Sequence, residues 1–305
     1  MPTKKTTQST APLNFVTAIR KKLGHLTHEM KPTEYLSLGD ERLNSVLGDP
    51  DRGLFFGQII EISGKQSNGK SALAIDVAAL GQATGAVIHW ADFERSFNPD
   101  WSSRRGLDPL KVHVYQPYVG KFGKEKEERL CTAQELLEEV EAGMVLAQKT
   151  DQDVRQMVIV DSVTAMLVEE EAEAGLTGQN MRTNQALPVM LGKLLRRWIA
   201  LCGETRTIAV FINQLRTKPG VLYGDPDYTP GGNALLFYAH SRVRMRRIKG
   251  GRILQKGKVV GVKGILRNDK NKAGGIEGTE IGFKIYFDGK TSFLDATVLR
   301  GEDEA

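Results

Sequence analysis

A chain of 305 residues with 40% hydrophobic side chains carries enough apolar material for one large buried core or two modest ones. No uninterrupted apolar run reaches the ~18 to 20 residues of a membrane span and residues 1–12 hold no apolar signal core, so a membrane-spanning helix is excluded and a cytoplasmic, unexported protein is expected. The net charge of +5 conceals a local excess: residues 242–272 hold twelve Lys or Arg against Asp269 alone, a net of +11, which leaves −6 for the remainder.

Residues 1–13 are polar, rich in Thr and Lys, and read as a disordered basic tail. From Asn14 to Leu26, Phe15, Val16, Ile19, Leu23 and Leu26 recur at helical spacing with Lys21 and Lys22 opposite them. An amphipathic helix that packs on another subunit is therefore expected within residues 14–35. A short element over Leu36–Leu47 and a turn over Gly48–Gly53 lead into the strand Gln58–Ser63. Gly64-Lys65-Gln66-Ser67-Asn68-Gly69-Lys70-Ser71 then completes the pattern G-x-x-x-x-G-K-[ST] ahead of the helix-forming run Ser71–Leu80. Strand, loop and helix in that order make a phosphate loop. Its backbone N–H groups wrap phosphates, Lys70 reaches the β- and γ-phosphates, and the Ser71 hydroxyl ligates Mg²⁺ beside the positive helix N-terminus.

The core continues in α/β alternation. Ala86–Asp92, Val112–Tyr115, Met157–Asp161 and Thr207–Ile212 are nearly continuous apolar strands, which predicts a parallel sheet covered on both faces. Between them a helix over Thr132–Thr150 opens on a Thr132/Glu135 capping box and buries Ala133, Leu136, Leu137, Val140 and Met144. A second helix is expected over Asn184–Cys202, with Pro188 in its first turn. Cys131 and Cys202 lack C-x-x-C partners and read as reduced thiols. After Phe211 the strands shorten and look antiparallel, over Ala239–Ile248, Val259–Leu266 and Gly282–Phe287, with no repeat and no second core domain. Arg242, Arg244 and Arg246 alternate with Val243 and Met245, so three guanidiniums share one strand face. A charge run is usually a solvated face, but in a nucleotide-binding chain this one favours a polyanion partner.

Two further carboxylate positions follow from the strand ends. Asp161 ends an apolar strand where a Walker B carboxylate binds Mg²⁺ through water. Asp92 and Glu94 follow the neighbouring strand, at the carboxyl edge where open α/β sheets collect ligands. Glu94 can polarise an attacking water or be a solvated loop acid, and spacing leaves both open.

The segment Phe211–Pro226, FINQLRTKPGVLYGDP, followed by Thr229–Ala239, TPGGNALLFYA, resembles the signature of the RecA family of recombination ATPases. The phosphate loop, Asp92-Phe93-Glu94, Val160-Asp161-Ser162 and Lys270-Asn271-Lys272 stand in the family's order, so the similarity covers about Leu36–Phe287. It implies an α/β, RecA-like P-loop ATPase core over 36–290, with a mostly parallel central sheet, flanking helices and a short antiparallel C-terminal extension, preceded by an N-terminal oligomerisation helix. ATP and Mg²⁺ are implied as ligands, with Gly64 to Ala72 at the phosphates. Glu94 takes the place of the catalytic carboxylate and Trp101 that of an aromatic stacking on adenine, with Asn98 at the base edge where the family usually has Asp. Gln214 matches a γ-phosphate sensor opening the second DNA loop, about 215–230, in which Arg216 and Lys218 contact DNA and which Gly231, Gly232 and Asn233 close. Arg182 belongs to the first DNA loop, about 169–182, which carries Glu169, Glu170, Glu171 and Glu173 and joins the next helix one residue short of the family pattern.

Lys270 and Lys272 match residues that reach ATP bound by the adjoining subunit, and Phe237 matches one inserted into the neighbouring protomer. The family's small C-terminal domain looks absent, leaving a short tail over 291–305, which points to a compact, divergent relative of bacterial or phage origin. The resemblance thus implies an ATP-dependent helical filament on single-stranded DNA that pairs with homologous duplex in recombination, DNA repair and the SOS response. Two rivals stand beside it. A ring-forming RecA-fold helicase or motor usually lacks the 213–239 block, and a regulatory relative without productive hydrolysis fits poorly with intact Lys70, Glu94, Asp161 and Gln214.

Overall fold

The computed structural model describes residues 33–122, 127–175, 181–220 and 225–301, together with residues 15, 17, 18, 21 and 22. It divides into two units, Met1–Thr33 and Glu34–Ala305. In the first, Phe15, Thr17, Ala18, Lys21 and Lys22 are helical, as the periodicity predicts, and the tail 1–13 lies outside the described residues.

The second unit begins with β1 (Tyr35–Leu36), α1 (Glu41–Leu47), β2 (Leu54–Phe55), β3 (Ile59–Gly64), α2 (Lys70–Ala83), β4 (Val87–Asp92), α3 (Pro99–Arg104) and β5 (Val112–Tyr115). A hairpin of β6 (Val119–Phe122) and β7 (Glu127–Leu130) precedes α4 (Ala133–Thr150), β8 (Gln156–Asp161), α5 (Glu169–Ala174), α6 (Met181–Glu204) and β9 (Thr207–Gln214). Then follow β10 (Arg216–Thr217), β11 (Asp227–Tyr228), α7 (Ala234–Tyr238), β12 (Ser241–Gln255), β13 (Lys258–Asn271), β14 (Glu280–Tyr286), β15 (Thr291–Asp295) and α8 (Ala296–Gly301). Nine strands form one sheet in the order β15-β14-β13-β12-β3-β9-β8-β4-β5. The six from β12 to β5 run parallel, and β13, β14 and β15 extend the sheet antiparallel.

Strand alternation explains why helices cover both faces. Met157, Ile159, Ile208, Val210 and Ile212 point into one core with Leu73 and Val77 of α2. Their neighbours Val158, Val160, Ala209 and Phe211 point into the other, with Leu137, Val140 and Met144 of α4 and Leu195 and Trp198 of α6. The capping box forms as the sequence predicts, with Glu135 accepting from the Thr132 backbone at 2.8 Å and Thr132 accepting from Glu135 at 3.4 Å. Both cysteines are free thiols inside the second core. No helix among the described residues is long and apolar enough to cross a membrane.

Four expectations change. Rather than a short antiparallel strand, β12 is 15 residues long, and its first part, Ser241–Met245, joins the parallel sheet beside Ile60–Gly64. The alternation that suggested a half-exposed strand is real, but its polar face is neutralised: Arg242 binds Glu61, Arg244 binds Asp269 and Asp225, and Arg246 binds Glu280. These three guanidiniums therefore do not form a free cationic face. The helix expected from Asn184 starts at Met181, so that Pro188 lies in its interior rather than its first turn, and Thr183 and Ala186 in its first turns are buried. Finally, residues 291–301 are not a tail, because β15 completes the sheet edge and Leu299 of α8 is fully buried against it.

One buried polar contact joins α4 to α6. The Trp198 indole N–H donates to Glu141 at 2.8 Å, and Arg197 also bonds that carboxylate. Glu141→Ala would strand the indole N–H in a dry site, so urea unfolding is expected to show a loss of about 1–3 kcal/mol. Glu138→Ala, on the exposed side of the same helix, should change stability by less than about 0.5 kcal/mol.

Candidate functional site

The loop after β3 is shaped by close approaches. Gly69 has φ of 94°, a left-handed conformation that favours glycine, and a Cβ there would press on Ile285 Cδ1 at 2.6 Å. The following helix, α2, has no side-chain cap, which leaves its first amide N–H groups for a ligand. Lys70, nearly buried, donates to the Lys65 carbonyl at 3.0 Å. Asn68 turns inward and donates to the Met245 carbonyl at 3.0 Å, fixing the loop to β12.

The carboxyl ends of β4, β8 and β9 meet the loop. Burial pushes the Asp161 carboxyl up to about 6, opposed by the neighbouring Ser71 hydroxyl and Lys70 and reinforced by Glu94 and Asp92. Burial also lowers the Lys70 pKa, against the pull of Asp161 and Glu94. Glu94 Oε1 accepts from the Ser162 hydroxyl and, at 3.0 Å, from the Gln214 amide. Glu94 is thus tied to two other strands and is no free loop acid. Asp92 is fully buried and accepts from the backbones of Ser96 and Phe97 at 2.9 Å and from Gln116 at 2.8 Å, so it builds the turn that presents Glu94.

Several residues to which the sequence assigned no role complete this arrangement. The Gln214 backbone N–H donates to Thr164 Oγ1 at 3.3 Å. Asn213 donates to Glu61 at 3.0 Å and to the Pro230 carbonyl at 3.0 Å, tying the far end of the 215–230 segment to β3. The available signal was Glu61 itself, an acid inside an apolar strand, which needs a buried partner.

These groups enclose a cleft of about 620 Å³ lined by Gln66, Ser67, Gly69, Lys70, Ser71 and Ala72, with Glu94, Asp161 and Gln214 below and Trp101 at one wall. Gly64, Lys65, Asn68 and Asn98 do not line it. Asn98 instead caps α3, accepting from the Trp101 backbone at 2.9 Å, so it positions the aromatic wall. Arg105 packs its guanidinium 5.1 Å from the Trp101 ring centroid and donates to the Ala72 carbonyl at 3.2 Å. The residues present fit a magnesium nucleotide: uncapped amides and a lysine for phosphates, and an aromatic wall for a base. No cluster of three His, Cys, Asp or Glu among the described residues would hold a metal unaided. The Ser71 and Asp161 oxygens, which line the same cleft, fit a hard cation that takes its other ligands from phosphate and water.

The remaining predicted residues lie elsewhere. Arg216 and Lys218 are exposed at the base of the β10–β11 hairpin, where Thr217 donates to Asp227 at 2.6 Å and Lys218 Nζ stands 5.1 Å from the Tyr228 ring centroid. Residues 221–224 at its tip lie outside the described residues, as do 176–180 of the first loop and the side chain of Arg182. Gly231, at φ of 92°, packs on Leu191, while Gly232 and Asn233 are exposed at the start of α7. Phe237 of α7 is 64% exposed. Lys270 donates to the Leu236 and Phe237 carbonyls at 2.6 and 3.0 Å, and burial, with Lys272 and Arg242 nearby, brings its pKa down to about 8. By register Lys270 faces Arg242 and Arg242 faces Glu61, short of Gly64, so Lys270 and Lys272 are not brought to the phosphate loop of their own chain.

The RecA N-terminal domain family matches residues 15–289. Over 274 residues the chain is 31% identical to Protein RecA of Clostridium botulinum strain Eklund 17B, covering 85% of this chain and 69% of that one. It is 34% identical to Protein RecA of Rickettsia canadensis over 78% of this chain and 62% of the relative, and 35% identical to that of Thermus thermophilus over 72% and 58%. The phosphate loop, the carboxylates at the strand ends and the segment beyond Gln214 all fall inside the matched span, and the chain belongs to the RecA family.

Proposed function

We propose that the chain is a DNA-dependent ATPase that assembles on single-stranded DNA and promotes homologous pairing and strand exchange, in the cytoplasm. The observation that carries this reading is the Gln214 amide on Glu94, because the same residue immediately precedes the 215–230 segment. A γ-phosphate at the loop mouth would compete for that amide, and the backbone after Gln214 would respond. Lys70 would bind the β- and γ-phosphates, Glu94 would orient and deprotonate the attacking water, and Trp101 would stack on the base. Mg²⁺, held by Ser71 and through water by Asp161, would neutralise phosphate charge. Arg216, Lys218, Arg182 and the Gly231-Gly232-Asn233 turn would face the DNA backbone, leaving sequence matching to base pairing. Lys270 and Lys272 would serve the neighbouring subunit's nucleotide, with Phe237 in that interface. Their distance from the loop of their own chain supports a role in trans.

A ligand shifts a two-state element only by its differential affinity for the two states. Wild-type protein should therefore bind single-stranded DNA more tightly with a non-hydrolysable ATP analogue than with ADP at fixed salt. Gln214→Ala should remove most of that difference with little change in nucleotide affinity, and Glu94→Gln should lower hydrolysis by ~10² or more. Equal DNA affinities in both nucleotide states of the wild type would refute the reading.

The raised Asp161 pKa gives a pH signature. A carboxyl whose folded pKa lies above its unfolded value favours folding most at low pH, and that contribution fades as pH rises through about 6. Asp161→Asn should thus raise stability relative to wild type at pH 8, by up to about 3 kcal/mol, but not at pH 4. Wild-type Mg²⁺-dependent nucleotide binding should weaken as pH falls below about 6, where the carboxyl is protonated. Calorimetric melts and nucleotide titrations across this range check both signs.

A further inference from the structure

Two guanidiniums in the cleft have no acidic partner among the described residues, Arg247 and Arg252. Strand geometry explains their position. β12 pairs with β3 up to Met245 opposite Gly64, and Val243 and Met245 point into the core that α2 covers. Alternation places Arg247 on that same face, beyond the end of β3 and level with the phosphate loop, whereas Arg242, Arg244 and Arg246 point the other way into their ion pairs. A bulge follows, after which Arg252 stands opposite Val262. Directly opposed residues share a sheet face, and Val262 belongs to the α2-side core and lines the cleft.

The cleft needs this charge. Lys70 lines the cleft together with the carboxylates Asp161 and Glu94 and donates to the Lys65 carbonyl, so a phosphate entering there meets two acids beside one lysine. Building on the nucleotide reading above, we propose that Arg247 and Arg252 bind the polyphosphate of the nucleotide in cis, from the β12–β13 hairpin, and set its affinity. Guanidinium forks are suited to phosphate oxygens, and Arg247 is half-buried against the loop while Arg252 reaches in from the exposed strand. The hairpin becomes a cationic wall of the cleft that Trp101 also lines.

The test is equilibrium titration of the full chain with a non-hydrolysable ATP analogue and Mg²⁺ over a range of salt. It compares wild type, Lys70→Ala, the double variant Arg247→Met/Arg252→Met, which keeps the side-chain stems, and Arg247→Lys/Arg252→Lys. The methionine variant should bind about tenfold to a hundredfold more weakly and with a shallower salt dependence, as loss of charge-assisted bonds requires. The lysine variant should keep the wild-type salt dependence at intermediate affinity. If Lys70→Ala is impaired but the methionine variant stays within about twofold of wild type, or weakens with an unchanged salt dependence, the arginines are not phosphate contacts. Failure of wild type to bind the analogue, or undiminished binding by Lys70→Ala, would instead overturn the nucleotide reading itself. Thermal melts of both double variants separate lost contacts from lost fold.

Discussion

One carboxylate oxygen, Glu94 Oε1, accepts hydrogen bonds from Ser162 after β8 and from Gln214 at the end of β9. The segments that follow three strands are therefore joined at a single carboxylate oxygen. Such a bond is short-ranged and directional, so its effect is local and discrete. It matters here because each strand leads directly into something different: β4 into the Asp92 turn, β8 into the Ser71 and Asp161 pair, and β9 into the hairpin of β10 and β11. Beside it, the Leu215 N–H donates to the Gly64 carbonyl at 3.1 Å, so the start of the hairpin segment and the first residue of the phosphate loop share a backbone bond.

The far end of that segment is held just as firmly. Pro230 is bonded by Asn213, Asn213 by Glu61, and Glu61 by Arg242, which anchors the return strand to the sheet. A segment fixed at both ends, with one end bonded to the first residue of the phosphate loop, is suited to transmit a side-chain rearrangement as a loop displacement. The charges of β12 and β13 divide accordingly. On β12 one face carries Arg242, Arg244 and Arg246 in internal ion pairs, and the α2 face carries Arg247 and Arg252, which line the cleft. A net local charge of +11 thus resolves into distinct jobs that the count alone could not separate.

What the sequence disclosed and what it hid follow the range of the interactions involved. Local signals were reliable: the phosphate loop, the Thr132/Glu135 box and the apolar strands each depend on neighbours a few residues apart. The hidden features depend on partners far away in the chain. Arg242 looked available because Glu61 lies 181 positions from it. The parallel pairing of Ser241–Met245 was masked because polar alternation normally marks a half-solvated strand, and here carboxylates replace solvent. Asn98 was expected at a base edge, yet its carbonyl is committed to capping α3, a competition between cap and ligand that spacing cannot resolve. Residues 291–301 looked like a tail because β15 and α8 are short, and they are ordered by the edge they cover rather than by their own propensity.

Backbone hydrogen exchange across Arg216–Tyr228 reads the proposed link from Gln214 to the hairpin without DNA or turnover. The Lys218 N–H, bonded to the Pro226 carbonyl at 2.9 Å, reports on the hairpin itself. A non-hydrolysable ATP analogue with Mg²⁺ should change protection of these amides relative to ADP in the wild type, and the change should disappear in Gln214→Ala. Identical protection in the two nucleotide states of the wild type, or the same change persisting without the Gln214 side chain, would contradict it.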